Sequence, residues 1–128
     1  MSSIFEKLKF NDQGLIPAII QDEKTKEVLT LCYMNNEALQ KTFDEGKVYV
    51  YRRSKKQLMM KGGSSGCIQI VKNVTIDCEG NSLLVKVDQV RAGCHEGFFT
   101  CYFRKLNKDG TLETLGERVF DPATVYKK

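Results

Sequence analysis

Three cysteines in the second half of the chain have the types and spacing of metal ligands. Cys78 follows a β-branched stretch, and Cys94 and Cys101 flank a short loop. Thiolates are soft anions that bind zinc well, and three protein ligands leave a fourth position for water. The paired C-x-x-C of structural zinc sites is absent, so the spacing alone leaves two interpretations open: a catalytic zinc site or buried thiols.

His95, the only histidine, directly follows Cys94. A histidine in a loop between two candidate ligands favours a general acid/base or a further ligand. The alternative is a surface histidine with an ordinary hydrogen bond.

Three oxygen-bearing side chains alternate around the first cysteine, at Asp77, Glu79 and Asn81. In an extended segment they would project from one side, as hard ligands suited to Mg²⁺. A polar turn after a strand would give the same pattern.

A glycine- and serine-rich stretch runs from Lys61 through Ser64 and Ser65 to Gly66. Small residues let backbone N–H groups approach a phosphate, and Lys61 can add charge. The Walker spacing of a P-loop is missing. The stretch is therefore either an anion cradle or a plain flexible loop.

A basic cluster precedes this stretch and contains Arg52, Arg53, Lys55 and Lys56. It indicates an anionic partner. A nucleic-acid surface usually carries more positive charge, and the net charge is only +4. The neighbouring tyrosines keep nucleic acid open as the weaker alternative to a small nucleotide.

The elements that must position these residues follow from apolar patterning. Leu15–Ile20 and Val28–Tyr33 predict a hairpin, and Pro17 predicts that its first strand lies at an edge or a bulge. Asn35 or Asn36 can cap a helix that ends at Gly46, with Leu39 and Phe43 on one face. Further strands are predicted around Val48–Val50, Leu58–Met60, Ile68–Ile76, Leu83–Val90 and Phe98–Phe103. One helix among six or seven strands predicts an α+β fold with a mostly antiparallel sheet.

Length and composition set the class of protein. A chain of 128 residues with 41% hydrophobic content predicts a single domain over residues 1–128. The first ten residues lack the apolar run of a signal peptide, and no stretch is long enough to span a membrane. We therefore expect a soluble cytoplasmic protein, whose five cysteines are reduced.

Together these pieces resemble the phosphoribosyl-AMP cyclohydrolase family along nearly the whole chain. The resemblance rests on Leu15–Asp22, Glu27–Leu29, Tyr33–Asn35, Glu37–Leu39, Lys61-Gly62, Ser64–Gly66, Asp77-Cys78, Gly80, Cys94-His95, Cys101 and Val119–Pro122.

The resemblance implies a step of histidine biosynthesis in which water adds at C6 of the adenine ring of phosphoribosyl-AMP and the N1–C6 bond opens. It implies zinc on Cys78, Cys94 and Cys101, with Cys78 of one chain meeting the other two cysteines of the partner in an intertwined homodimer. It further implies Mg²⁺ at Asp77, Glu79 and Asn81. His95 would move protons, while Lys61, Ser64 and Ser65 with Arg52 and Arg53 would receive phosphate.

Several positions depart from the family pattern. The second and third aspartates of its Mg²⁺ motif are Glu79 and Asn81, a glutamate is Gly63, a histidine is Cys67 and an arginine is Phe99. Two alternatives therefore stay open: a divergent paralogue that hydrolyses another purine-type nucleotide or heterocycle, and a non-catalytic zinc-containing nucleotide-binding module.

Overall fold

The structure, a computed structural model, describes residues 7–62, 66–90, 94, 97–119 and 121. Their elements, in chain order, are β1 (Ile16–Asp22), β2 (Val28–Met34), α1 (Asn36–Glu45), β3 (Tyr49–Arg52), β4 (Gln57–Met60), β5 (Gln69–Ile76), β6 (Leu83–Gln89), β7 (Arg104–Leu106) and β8 (Leu112–Thr114). Within this part of the chain, no helix is long and apolar enough to cross a membrane.

The main sheet has four strands in the order β2-β1-β6-β5. β1 and β2 form the predicted antiparallel hairpin, and β5 and β6 form another. β1 and β6 join these two hairpins by parallel pairing, with Ala18 opposite Leu83 and Asp22 opposite Val87. The α+β class with a mostly antiparallel sheet is confirmed.

The prediction for Pro17 was wrong, because β1 lies inside the sheet and its bulge falls between Ile20 and Gln21. On the β2 side Pro17 lies opposite Tyr33, while pairing with β6 begins only at Ala18. Proline is tolerated in a strand where no partner needs its missing N–H. Pro17 meets this condition because it precedes the segment that is paired on both sides.

Helix α1 begins and ends at the predicted caps. The Asn35 Oδ1 atom accepts a 2.8 Å hydrogen bond from the Ala38 N–H, and Gly46 takes a left-handed φ of 72° that ends the helix. Thr42 is buried on the inner face and its Oγ1 accepts the Tyr49 N–H at 3.0 Å, which fixes β3 to the helix. Leu39 is buried, but Phe43 is half-exposed, so the apolar face is narrower than the sequence indicated.

The core lies between the main sheet and the layer made by α1 and the β3–β4 hairpin. Its fully buried apolar side chains include Ile16, Ile20, Leu29, Met34, Leu39, Val48, Val85 and Val87. Alternate residues of β6 are buried, as expected of a strand with one face on a core.

The strand predicted over Phe98–Phe103 is absent. The segment turns back on itself, so that the rings of Phe98 and Phe103 stack with centroids 4.0 Å apart and an interplanar angle of 2°. An extended strand would hold these residues about 16 Å apart at about 3.3 Å per residue. The next strands are β7 and β8, an exposed hairpin around Asn107–Gly110.

Candidate metal and nucleotide site

Cys101 lies against the edge strand of the main sheet. Its N–H donates a 2.7 Å hydrogen bond to the Leu29 carbonyl, and the Thr100 hydroxyl donates to the Val28 carbonyl at 2.6 Å. These bonds attach the segment to the start of β2. The Cys101 side chain is half-buried there.

Cys94 is buried at the start of a tight turn. The Gly97 N–H donates to the Cys94 carbonyl at 2.9 Å, and the Cys94 N–H donates to the Phe98 carbonyl at 3.1 Å. Gly97 has a φ of 92°, which an L side chain would strain. The turn therefore has a defined backbone on both sides of His95 and Glu96, which themselves lie outside the described residues.

Cys78 is exposed in the turn between β5 and β6. The carboxylate of Asp77 accepts the Asn81 N–H at Oδ1 and the Ser82 hydroxyl at Oδ2, both at 2.9 Å. Desolvation by the surrounding turn raises the pKa of this carboxyl, but these hydrogen bonds outweigh it and hold the pKa below its usual value. The predicted polar turn is therefore present, and Asp77 stabilises it as an anion.

The other two candidate magnesium ligands are on the same turn. Glu79 and Asn81 are exposed, and the Asn81 Nδ2 atom donates to Glu79 Oε1 at 3.4 Å. The Lys9 N–H donates to the Gly80 carbonyl at 2.7 Å, which anchors the turn to the amino-terminal segment.

All five cysteines lie in the described part of the chain, and each is a thiol. The donor chemistry of Cys78, Cys94 and Cys101 fits zinc, which prefers thiolate ligands. Yet across residues 7–62, 66–90, 94, 97–119 and 121, no three or more His, Cys, Asp or Glu side chains of one chain form a group that could hold a metal ion. One chain does not bring the three candidate ligands together.

Cys32 lies beside two of the predicted site residues, Lys61 and Cys101. Burial raises the pKa of the Cys32 thiol to about 12, the charge of Lys61 lowers it, and the nearby Cys101 raises it. The Cys32 Sγ atom contacts the Ala18 carbonyl at 3.6 Å. No pattern in the sequence predicts this neighbourhood, because Cys32 stands at an ordinary apolar position of a strand.

The glycine- and serine-rich stretch is described only at its ends, and Gly63, Ser64 and Ser65 lie outside the described residues. Gly62 has a φ of 81°, and a Cβ there would collide with the backbone carbonyl of Cys67. The Lys61 N–H donates to the Val48 carbonyl at 2.9 Å, and the Gly66 N–H to the Gly62 carbonyl at 2.9 Å. The backbone is thus fixed by hydrogen bonds at both ends of the stretch. Its conformation at position 62 requires glycine.

The basic cluster lies on the β3–β4 hairpin, where Arg52 and Arg53 are exposed. The Arg53 guanidinium lies 4.1 Å from the ring centroid of Tyr33, a cation–π contact that fixes this side chain over β2. Arg53 thus lies near Tyr33 and Lys61 near Cys32, two consecutive residues of β2 whose side chains point to opposite faces of the sheet.

Comparison with known proteins identifies the family. A sequence model of phosphoribosyl-AMP cyclohydrolase matches residues 30–103. A phosphoribosyl-AMP cyclohydrolase of Pelotomaculum thermopropionicum is 47% identical over 96% of this chain and 95% of its own length, and one of Methanoregula boonei is 46% identical over 94% and 95%. The histidine biosynthesis bifunctional protein HisIE of Thermoanaerobacter pseudethanolicus is 43% identical over 99% of this chain and 58% of that longer protein. This chain belongs to the phosphoribosyl-AMP cyclohydrolase family of hydrolases.

Proposed function

We propose that the protein is a zinc-dependent hydrolase that opens the adenine ring of phosphoribosyl-AMP at the N1–C6 bond, in histidine biosynthesis. Membership of the family, over nearly the full length of curated relatives, carries this proposal. Such an enzyme works in the cytoplasm on a small nucleotide, without a nucleic acid or membrane partner.

Cys78, Cys94 and Cys101 would hold the zinc. Zinc on thiolates lowers the pKa of a bound water and so supplies a nucleophile near neutral pH. His95 would accept and return protons during attack at C6. Lys61 and Arg53 would receive the phosphate groups with Arg52, Ser64 and Ser65, a role supported by the positive charge and the exposure of the two arginines on the β3–β4 hairpin.

The zinc site of this proposal is shared by two chains of a homodimer. Cys101 is bonded to β2 at one edge of the sheet, whereas Cys78 lies between β5 and β6, beyond β1. Two strand spacings of about 4.8 Å put these backbones about 10 Å or more apart. Since zinc–sulfur bonds are about 2.3 Å long, a second copy supplies the missing ligand most simply.

Exposed apolar side chains on the outer face of the sheet support this dimer. Ile19 of β1 pairs with Leu31 of β2 and with Leu84 of β6, which makes one row across three strands. Ile19 is 36% exposed and Leu31 46%. The β7–β8 hairpin adds Leu106, 71% exposed, opposite Leu112. A second copy of the chain would bury both surfaces.

Magnesium at Asp77, Glu79 and Asn81 is part of the proposal as a weak site. Glu79 and Asn81 are exposed and adjacent, but both oxygens of Asp77 already accept hydrogen bonds from the turn. Binding of the cation would have to compete with these bonds.

The activity is tested by incubating zinc-loaded protein with phosphoribosyl-AMP and following ring opening by ultraviolet absorbance. Wild type should turn over, and His95→Ala should be slower by roughly 10²-fold or more, because it lacks the proton carrier. Rescue of a histidine auxotroph should accompany turnover. Zinc-loaded dimer that neither turns over nor rescues growth would refute the assignment, and hydrolysis of other purine nucleotides would then test the paralogue.

The metal is tested separately by its stoichiometry. Wild type should carry about one zinc per chain, and Cys101→Ser should lose most of it, because three thiolates are the minimum protein shell of this site. Cys32→Ala is the matched control: it removes a neighbouring thiol that the proposal does not use. Retention of zinc by Cys101→Ser, or an equal loss in Cys32→Ala, would contradict the ligand set.

A further inference from the structure

The buried side chain of Gln89 lies within hydrogen-bond distance of three backbone carbonyl groups. Gln89 is the last residue of β6 and is 8% exposed. Its Nε2 atom lies 3.1 Å from the Cys67 carbonyl oxygen, 3.0 Å from that of Val90 and 3.4 Å from that of Ile68. Its own backbone N–H donates to Asp22 Oδ1 at 3.2 Å. An amide nitrogen has two protons, so the bonds to Cys67 and Val90 are the principal ones.

Gln69 fixes the orientation of this amide. The Gln69 Nε2 atom donates to Gln89 Oε1 at 2.7 Å, so the oxygen of Gln89 is occupied and its nitrogen faces the carbonyls. Gln69 is fully buried, and its own Oε1 has no hydrogen-bond partner among the described residues. The two side chains therefore have different roles. Gln69 orients the amide of Gln89, and only the Gln89 side chain reaches the neighbouring segments.

The two carbonyls that Gln89 binds begin or end the segments that carry the proposed chemistry. Cys67 directly follows the glycine- and serine-rich stretch from Lys61 to Gly66, which contains the proposed phosphate-binding serines. Val90 starts the segment that leads to Cys94 and His95. A backbone bond from the Val90 N–H to the Ile68 carbonyl, 3.0 Å, runs beside the side-chain bonds. Gln89 thus links the phosphate side of the site to its zinc and proton-transfer side.

We infer that Gln89 is a positioning residue, which fixes the end of the Lys61–Cys67 stretch relative to the segment that carries Cys94 and His95. The inference rests on the proposed function for its effect on catalysis. Small displacements of reacting groups are costly, since a misplacement of about 1 Å can reduce the rate about 10²-fold. Loss of the two hydrogen bonds should therefore reduce turnover in protein that is still folded.

The test compares Gln89→Met with Gln69→Met, below the melting temperature of both. Each variant breaks the Gln69–Gln89 bond and puts the same side chain in the core, but only Gln89→Met loses the bonds to Cys67 and Val90. For Gln89→Met we expect kcat/KM to fall about 10²-fold and amide exchange over residues 66–68 and 90–94 to accelerate at least about tenfold. Gln69→Met should stay within about threefold of wild type in both measurements, because the carbonyls of Cys67 and Val90 still require the amide nitrogen of Gln89 to face them.

Equal effects of the two variants on exchange and on kcat/KM would overturn the inference and make Gln89 a purely structural residue. If wild type does not act on phosphoribosyl-AMP, the proposed function fails, while the exchange comparison still decides whether Gln89 fixes the two segments. Should Gln89→Met fail to fold, Gln89→Asn, whose amide is one methylene too short to reach both carbonyls, decides by the same two measurements.

Discussion

The backbone N–H of Cys101 donates a 2.7 Å hydrogen bond to the carbonyl oxygen of Leu29. This bond holds Cys101 at the β2 edge of the main sheet, whereas Cys78 lies in the turn between β5 and β6. The strand order β2-β1-β6-β5 therefore keeps the two thiols of one chain apart. The same order would leave each of them available to the complementary ligands of a second chain.

The cysteines should differ in their rates of alkylation. The pKa of Cys32 is raised to about 12 by burial, so only about 10⁻⁴ of it is thiolate at pH 8, and the thiolate is the nucleophile. Cys78 is exposed. In metal-free folded protein, iodoacetamide at pH 8 should modify Cys78 well before Cys32, as measured by peptide mass mapping. Equal rates in the folded protein would contradict the burial of Cys32, and urea-unfolded protein, where both should react, is the control.

Asp22 should stabilise the fold in a pH-dependent way. Burial raises the pKa of its carboxyl, but the backbone N–H groups of Thr25 and Gln89 and the Thr25 hydroxyl bind the anion and hold the pKa below its usual value of 3.8. A lowered pKa in the folded state stabilises the protein above the unfolded pKa, and this contribution is lost as the pH falls through the folded pKa. Asp22→Asn should therefore lower the free energy of unfolding at pH 7 by about 1–3 kcal/mol.

Urea unfolding at pH 7 and at pH 3 checks this prediction. The difference between wild type and Asp22→Asn should narrow at pH 3, because that pH lies below the usual pKa of 3.8, so the unfolded carboxyl binds a proton more readily than the folded one. Asp12→Asn, at an exposed aspartate, is the control and should differ little from wild type at either pH. A difference that does not depend on pH would mean that the charge of Asp22 does not contribute.

Local signals in the sequence predicted the parts of the fold that local contacts form. The β1–β2 hairpin and the caps of α1 at Asn35 and Gly46 depend on residues close in sequence, and both predictions are confirmed. The prediction drawn from Pro17 was wrong because β1 is an interior strand. Its second partner is β6, whose residues lie more than 60 positions later in the chain. Apolar periodicity does not encode such a parallel pairing.

Prediction of the site was limited in the same way. The candidate residues were chosen by their types, but the neighbourhood of Cys32, Lys61 and Cys101 arises from three separate segments packed together. The prediction of a strand over Phe98–Phe103 was wrong. A high β propensity indicates only that these aromatic side chains favour a packed surface, and other backbone conformations can also provide one. Here Phe98 and Phe103 provide that surface for each other by stacking.

A carboxylate at position 81 should strengthen Mg²⁺ binding at the site proposed on the turn between β5 and β6. Asn81→Asp adds one negative charge next to Glu79, and ligand charge is a main determinant of cation affinity. Titration calorimetry should show tighter Mg²⁺ binding, while Asn73→Asp, on an exposed position of β5 outside the turn, should show no change. Unchanged affinity in Asn81→Asp would mean that the turn does not bind the cation.

A mixture of two variants, each lacking one proposed zinc ligand, tests whether the proposed zinc site is shared between two chains. Cys78→Ser and Cys101→Ser alone should each lose zinc and turnover. In a heterodimer of the two, one site loses both residues, while the other combines the intact Cys78 of one chain with the intact Cys94 and Cys101 of its partner. Random exchange of subunits makes half the dimers mixed, so about a quarter of wild-type zinc and phosphoribosyl-AMP turnover should return.

The control mixture combines Cys94→Ser with Cys101→Ser, whose lesions fall on the same side of the shared site, so each of its heterodimers has two broken sites. Subunits are exchanged by mild denaturation in chelator, refolded with zinc and shown by mass spectrometry to have mixed. We expect zinc and turnover to recover in the Cys78→Ser and Cys101→Ser mixture and neither to recover in the control. No recovery in proven heterodimers of Cys78→Ser and Cys101→Ser, or equal recovery in both mixtures, would contradict a zinc site shared between two chains.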